Sequence, residues 1–240
     1  MKPILPVLTL LTAVALGGLK ADTINDLTSR AGFTDSLDWG QLGPCSSVPE
    51  PVPAVSAGGI HLTASASGSS FAITRQTTPG DTGGCAAGVF HGDFNPLDNL
   101  LWTDGGSIGP VTLTFGQDIA AIGFQIQSVV DAGSPYTAEL DAYNGATLLG
   151  KDIASGFSTA NADNSAVFLG LSDLSGANIT SVVISLTAGP GNLSDFAINQ
   201  LSLDTVTPAP EPSSVGITLV LVLGMVALVH RRKKMLQRCD

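Results

Sequence analysis

The feature that most constrains this chain is an uninterrupted apolar run close to its C-terminus. Over residues 215–229 the only polar side chain is that of Thr218. These 15 residues would rise about 22 Å as a helix, and adding Ser213 and Ser214 brings the length to the lower end of the spanning range, roughly 17 residues. We therefore predict a single transmembrane helix over residues 213–230. The alternative is a buried core helix.

The flanks of the apolar run favour the transmembrane interpretation. A Pro-rich spacer, residues 205–212, precedes the run and ends in Pro210-Glu211-Pro212. A basic cluster follows the run and consists of Arg231, Arg232, Lys233 and Lys234. Because basic residues stay on the cytoplasmic side, residues 231–240 are predicted to be a cytoplasmic tail and the bulk of the chain to lie outside.

The order of Pro-Glu-Pro tripeptide, apolar helix and basic cluster resembles the PEP-CTERM sorting signal of Gram-negative bacteria. The resemblance covers about the last 34 residues. It implies a membrane-embedded exosortase as partner, which cuts near the tripeptide and leaves the apolar tail behind. A second copy, Pro49-Glu50-Pro51, has no helix or basic cluster after it and is interpreted as a loop.

The start of the chain predicts export across the inner membrane. Lys2 is followed by a largely apolar stretch, residues 4–19, and then by small residues. This pattern is typical of a secretory signal peptide, here residues 1–21, and the alternative is a retained N-terminal helix. The ectodomain, residues 22–204, is then expected in the periplasm, at the cell surface or outside the cell.

The composition of the exported span excludes one class of partner. Residues 22–210 contain three basic side chains and eighteen acidic ones, a net charge of −15. Such a surface repels phosphate backbones, so we expect no nucleic-acid binding. Cys45 and Cys85 are the two cysteines of this span, and in an oxidising compartment we predict that they form a disulfide.

Hydrophobic alternation predicts an all-β ectodomain. Tyr136, Ala138, Leu140 and Ala142 alternate with polar residues, and Asn144-Gly145 is a strong hairpin signal. Many further short strands, joined by Gly, Asn, Asp and Ser turns, predict an antiparallel β-sandwich of jelly-roll type.

Three local features of this pattern are also predicted. Residues 59–64 and Phe71–Arg75 should form a hairpin, and residues 46–57, with their prolines, should be loop. Residues 116–118, Gly-Gln-Asp, should be a turn after the alternating stretch 111–115.

The second half of the ectodomain resembles the β-sandwich ectodomains common among PEP-CTERM proteins. The stretches that carry the resemblance include residues 99–104, 109–115, 122–127 and 195–201. The resemblance implies a fold but no ligand. Related sandwiches often end in two neighbouring acids, and here those positions are Asn199 and Gln200, which weakens a metal or sugar role for them.

Candidate chemistry in the ectodomain is sparse. Asp93, Asn95 and Asp98 offer closely spaced oxygen ligands that would suit Ca²⁺, and the alternative is that they are turn-forming Asx residues. No other cofactor is expected. His61 and His91 are the histidines of the span, and no hydrolase, zinc or phosphate-loop motif accompanies them. We therefore expect no enzyme activity.

Three hypotheses for the ectodomain remain at this stage. The first is a structural or interaction role in the envelope or extracellular matrix, which predicts that Trp39 and Trp102 are buried. The second is a carbohydrate-binding module for extracellular polysaccharide, with or without calcium, which predicts exposed aromatic side chains on one face. The third and weakest is a secreted hydrolase, which predicts His61 or His91 in a cleft beside a carboxylate.

Overall fold

The computed structural model describes residues 24–43, 45–66, 70–76, 85, 90–103, 109–129, 134–187 and 195–205. The predicted signal peptide, the Pro-Glu-Pro tripeptide at 210–212, the helix at 213–230 and the basic tail lie outside these residues. Within the described ranges, no helix has both the length and the apolar character needed to cross a membrane.

The described chain folds into fifteen strands and one short 3₁₀ helix, Trp39–Leu42. The strands are β1 (Ile24–Asp26), β2 (Asp35–Leu37), β3 (Ser46–Val48), β4 (Val52–Val55), β5 (His61–Ala66), β6 (Phe71–Arg75), β7 (Asn99–Trp102), β8 (Val111–Ile119), β9 (Ala121–Val129), β10 (Ser134–Asn144), β11 (Thr147–Ser158), β12 (Val167–Asp173), β13 (Ile179–Thr187), β14 (Asp195–Ile198) and β15 (Leu201–Asp204).

Two antiparallel sheets pack face to face. The six-stranded sheet has the order β11-β10-β13-β8-β5-β4. The nine-stranded sheet has the order β1-β12-β9-β14-β7-β6-β3, with β15 pairing β2 and β9 beside this path. The predicted all-β antiparallel sandwich is confirmed, and its jelly-roll connectivity remains a prediction.

The core between the sheets is built by the alternation of each strand. On β10 the buried side chains are Tyr136, Ala138, Leu140 and Ala142, as the pattern predicted. Facing residues from the nine-stranded sheet include Ile122, Phe124 and Ile126 of β9. Successive side chains of a strand point to opposite faces, so the residues between these ones lie on the outer faces of the sandwich.

The hairpin predicted at Asn144-Gly145 is confirmed. Strands β10 and β11 pair along their length, and Asn144 lies opposite Thr147. Gly145 has a φ of 57°, the left-handed conformation that a tight hairpin turn requires and that glycine adopts without steric cost.

The hairpin predicted between residues 59–64 and Phe71–Arg75 is wrong. Both segments are strands, but β5 pairs β4 and β8 in the six-stranded sheet, whereas β6 pairs β3 and β7 in the nine-stranded sheet. The chain therefore crosses between the sheets after Ala66. Local alternation identified the strands but could not identify their partners.

Two loop predictions are also wrong. Residues 46–57 contain β3 and β4, and β4 tolerates its proline because it is the edge strand of its sheet. Residues 116–118 are not a turn, because β8 continues to Ile119. The pairing of β8 with β13 shifts register between Ile179 and Ser181, and this irregularity accommodates the exposed residues 116–118.

The predicted disulfide is confirmed. Cys45 and Cys85 are bonded across a sequence separation of 40 residues. Closing a loop of this length restricts the unfolded chain and is worth about 3–4 kcal/mol in the chain-entropy account. The bond joins the beginning of β3 to the segment that follows β6.

Candidate functional site

The outer face of the nine-stranded sheet is covered by two chain segments. Residues 27–34 connect β1 to β2 and lie on this face, where Leu27 N donates to Gly170 O at 2.8 Å and the Phe33 ring approaches Gly123. Residues 90–98 contribute Phe90 and Phe94 to a second hydrophobic cluster with Leu100, Ala166 and Ala197. Because of this cover, β9 is buried on both faces over most of its length.

Buried amide groups connect the sheet to several segments on its outer face, including residues 90–98. Gln125 points outward from β9 but is only 7% exposed, and its Nε2 donates to Asn164 O at 3.2 Å and Ala166 O at 3.0 Å. Asn199 donates from Nδ2 to Gln125 Oε1 at 2.8 Å and to Asp98 Oδ2 at 3.1 Å. Trp39 Nε1 donates to Asn199 O at 2.9 Å. Side chains from four separate segments are thereby fixed together.

A polar pocket opens beside this network. It has a volume of about 380 Å³, within the range of roughly 300–1,000 Å³ that ligand pockets occupy. We call it the Arg30 pocket, and it is lined by Thr28, Ser29, Arg30, Asn95, Gln125, Asn164, Ala166 and Phe168.

Among the residues that the structure describes, Arg30 is the only charged side chain that lines this pocket. The residue is half-buried, and its Nη2 donates to Gln125 Oε1 at a long 3.4 Å. In the described part of the chain no carboxylate lies within 4.0 Å of its guanidinium. Burial lowers the pKa of Arg30, while the charge of Asp98 acts in the opposite direction. An arginine remains protonated under such a shift, so the pocket carries a positive charge with several N–H donors available.

The three residues predicted as calcium ligands lie in different environments. Asp93 is fully buried and accepts from Thr159 N at 2.9 Å, Asn161 N at 3.0 Å, Gln127 Nε2 at 3.1 Å and the Thr159 hydroxyl. Asn95 is exposed and Asp98 is half-buried. No group of three or more His, Cys, Asp and Glu side chains suited to a metal is found among the described residues.

The carboxylate of Asp93 is therefore occupied in holding residues 159–161 against β9. Any calcium bound here would have to compete with these hydrogen bonds or use other oxygens. The calcium site remains a prediction, and only Asn95 of the three residues lines the Arg30 pocket.

Some aromatic side chains are buried, as the matrix hypothesis predicts, and others are exposed, as the carbohydrate hypothesis predicts. Trp39 and Tyr136 are buried, and the Tyr136 hydroxyl donates to Ile126 O at 2.9 Å. Burial is the main reason that the pKa of Tyr136 is raised, and the charge of Asp93 acts in the same direction. Trp102 is half-buried and its ring packs edge-on against Phe90 in the second cluster. Phe157 on β11 is 66% exposed and was not predicted as a candidate.

The two histidines of the described chain lie in different places. His61 is exposed on β5 and borders a cavity of about 480 Å³ at β4, β5 and β8, whose lining residues in the described chain include no carboxylate. His91 is also exposed, in the segment between β6 and β7.

Sequence reasoning missed the residues that meet in the Arg30 pocket. Two signals were present. Arg30 is one of only three basic residues in residues 22–210, and Gln125 is a polar residue between the core positions Phe124 and Ile126. Neither signal shows that residues near 30, 95, 125 and 165 come together, because that depends on the pairing of distant strands.

Comparison with known proteins yields little. No family model matches the chain, and no curated protein matches it. Among solved structures, the chain is similar to the family 32 carbohydrate-binding module from C. perfringens NanJ in complex with galactose, at 15% identity and a TM-score of 0.28. The similarity covers 58% of this chain and 93% of that one. At these values it contributes nothing to the assignment of a ligand.

Proposed function

We propose that this chain is an exported bacterial surface or extracellular-matrix protein, sorted through its tail by an exosortase, with a non-catalytic structural or interaction role. The observation that carries the proposal is the order of Pro210-Glu211-Pro212, apolar run and basic cluster in the tail. The disulfide between Cys45 and Cys85 supports it, because such bonds persist in oxidising compartments outside the cytoplasm.

The ectodomain supplies what such a role requires. It is a sandwich with a continuous core, so it can remain folded after release from the membrane. In the exported form, the acidic surface with its net charge of −15 keeps the protein soluble and disfavours adhesion to polyanions. In this proposal the chain is first a single-pass membrane protein with a cytoplasmic C-terminus, and cleavage then frees the ectodomain.

The test is the intact mass of the protein recovered from membrane and medium fractions of its native host. The chain contains its own control, because Pro-Glu-Pro occurs twice. Glu211→Gln alters the tail copy, and Glu50→Gln alters the ectodomain copy, where Glu50 Oε1 accepts from Ala66 N at 2.6 Å and a glutamine can still accept.

The expected result is a product ending near residues 210–212 for the wild type and for Glu50→Gln. Glu211→Gln should accumulate as the full-length chain in the membrane. A full-length wild-type chain confined to the membrane would refute sorting and leave an outward-facing membrane protein.

A second candidate function is carbohydrate binding, and the Arg30 pocket is the observation that favours it. A matrix protein can hold polysaccharide through such a site without any catalysis.

A further inference from the structure

We infer that the Arg30 pocket binds a neutral sugar unit of an extracellular polysaccharide, an inference that rests on the proposed matrix role. A guanidinium offers five N–H donors, and Arg30 uses one of them in a bond of 3.4 Å. Since no carboxylate pairs with it in the described chain, its remaining donors are available to a ligand.

The other lining groups suit a ring with several hydroxyls. The amides of Asn95 and Asn164 are exposed and offer both donors and acceptors, and the hydroxyls of Thr28 and Ser29 do the same. A sugar hydroxyl also donates and accepts hydrogen bonds, so these amides and hydroxyls can pair with it either as donors or as acceptors. The ring of Phe168 adds an apolar surface for the C–H face of a sugar.

Charge favours a neutral sugar over an acidic one. The exported span has a net charge of −15, which repels a polyanionic chain at long range. Asp98 is close enough to Arg30 to interact with its charge, so part of the local positive potential is already offset. The guanidinium therefore serves mainly as a hydrogen-bond donor to hydroxyl oxygens.

The pocket is held in place before any ligand arrives. Gln125 accepts from Arg30 and Asn199 on one oxygen and donates to the main chain on either side of Ser165. Asn199 is in turn fixed by Trp39. A site that is ordered in advance loses less conformational entropy on binding, which raises affinity.

A second depression indicates that the ligand is a chain rather than a free monosaccharide. Arg30 also lines a cavity of about 420 Å³ with Phe33, Thr34, Asp35, Ser36, Ala57, Gly58 and Ser202. Two cavities that share Arg30 place two binding positions side by side on the outer face of the nine-stranded sheet. Neighbouring units of one polysaccharide could occupy them.

The test measures binding of neutral hexose oligosaccharides and of hexuronate oligosaccharides to the full-length chain in detergent, by isothermal titration. Arg30→Met removes the guanidinium and keeps an apolar side chain. Arg75→Met is the matched control, because Arg75 is exposed on β6, lines neither cavity and changes the net charge equally. Asn95→Ala is a second pocket variant whose side chain is exposed and lies outside the buried amide network.

The wild type should bind a neutral oligosaccharide more tightly than its monosaccharide unit. Arg30→Met should weaken that binding by at least about tenfold, since hydrogen bonds to charged groups are the stronger ones. Asn95→Ala should weaken it several-fold, whereas Arg75→Met should bind like the wild type. Each variant's thermal unfolding is recorded, and Asn95→Ala preserves the test if Arg30→Met does not fold.

Absence of binding to every neutral probe would overturn the inference, as would binding to hexuronates alone or equal losses in Arg30→Met and Arg75→Met. Loss of binding on calcium chelation would also overturn the inference, because the proposed site binds the sugar without a metal ion. These outcomes are separate from the intact mass of the tail, so the sorting proposal can stand or fall independently.

Discussion

The outer faces of the two sheets differ in whether their polar side chains are open to water or covered by other segments of the chain. On the six-stranded sheet the outer face, which we call the bare face, has no covering segment in the described part of the chain. It carries hydroxyl side chains such as Thr63 beside Thr114 and Thr137 beside Thr187. On the nine-stranded sheet the outer face is covered by residues 27–34 and 90–98. Polar groups beneath this cover, such as Gln125, Gln127 and Asn199, are buried and hydrogen-bonded within the protein.

The difference shows on which face hydrogen bonds between protein groups contribute most to the free energy of unfolding. A hydroxyl on the bare face can bond to water, so its contacts with protein add little to the free energy of unfolding. A polar group under the covering segments has lost its water and must find partners within the protein. The covered face is therefore rigid and specific, and the Arg30 pocket lies there.

The largest expected difference between the faces is in how much the free energy of unfolding falls when a carboxylate is removed. Asp93→Ala removes a buried acceptor from Thr159 N, Asn161 N and Gln127 Nε2, of which Gln127 Nε2 keeps Ser158 Oγ and Thr159 O. The free energy of unfolding should fall by about 3–4 kcal/mol, because several hydrogen bonds to a buried carboxylate are lost together and a cavity remains. Denaturant unfolding followed by tryptophan fluorescence measures this.

The control for this variant lies on the other sheet. Asp118→Ala changes an exposed carboxylate near the end of β8 and should alter the free energy of unfolding by less than about 0.5 kcal/mol. Similar losses in the two variants would show that the covered face is no more dependent on its polar groups than the bare one.

A smaller effect is expected from crowding on the covered face. A Cβ at residue 123 would lie 2.5 Å from Phe168 Cζ and 3.0 Å from Phe33 Cζ. Gly123→Ala should therefore cost about 1–3 kcal/mol, the usual range for overpacking, and should also weaken ligand binding because both rings line the cavities.

The matched glycine of the bare face is Gly116 on β8. A Cβ there would approach His61 no closer than 3.3 Å, so Gly116→Ala should cost clearly less than Gly123→Ala. If the rings of Phe33 and Phe168 move aside without cost, the two variants will unfold at the same denaturant concentration. That result would show that side chains on the covered face are loosely packed.

Local features of the fold could be predicted from the sequence. The alternation of Tyr136, Ala138, Leu140 and Ala142 and the Asn144-Gly145 turn are properties of neighbouring residues, so β10 and its hairpin were predicted correctly. The disulfide followed from the presence of only Cys45 and Cys85 in residues 22–210, which were predicted to be exported.

The candidate site could not be predicted in the same way. Strand partners depend on distant residues: Leu62 pairs with Phe115, and Phe71 pairs with Val48. The error over the hairpin after residue 59 and the failure to foresee the Arg30 pocket have this one cause. Polar residues inside a strand pattern, such as Gln125, were the only local sign that the outer face is covered.

A pH-dependent effect is expected where the two sheets meet. Asp152 on β11 accepts from Gly170 N of β12 at 2.8 Å, and partial burial, together with the charge of Asp26, raises its pKa. The folded state thus holds this proton more tightly than the unfolded state. Stability from this group is full below the ordinary pKa of about 3.9 and is lost as the pH rises through the raised value.

Asp152→Asn should therefore be more stable than the wild type at pH 7 and equal to it at pH 3. The gain should stay under about 1 kcal/mol, because the side chain is only half-buried and solvent screens part of its interaction. Thermal unfolding between pH 3 and pH 7 measures it. A variant less stable than the wild type at pH 7 would show that the charged hydrogen bond to Gly170 outweighs the burial.

The smallest effect is expected on the bare face. Lys151 on β11 donates to Glu139 and lies 3.4 Å from Asp141 Oδ1 on β10, and this hydrogen bond lowers the pKa of Glu139. Lys151→Met should raise the pKa of Glu139 towards its ordinary value in an NMR titration, yet leave the unfolding midpoint unchanged at neutral pH. Exposed ion pairs contribute little because water and salt screen them. A clear drop in the midpoint would mean that the bare face also holds the fold together through its polar groups, and the contrast between the two faces would disappear.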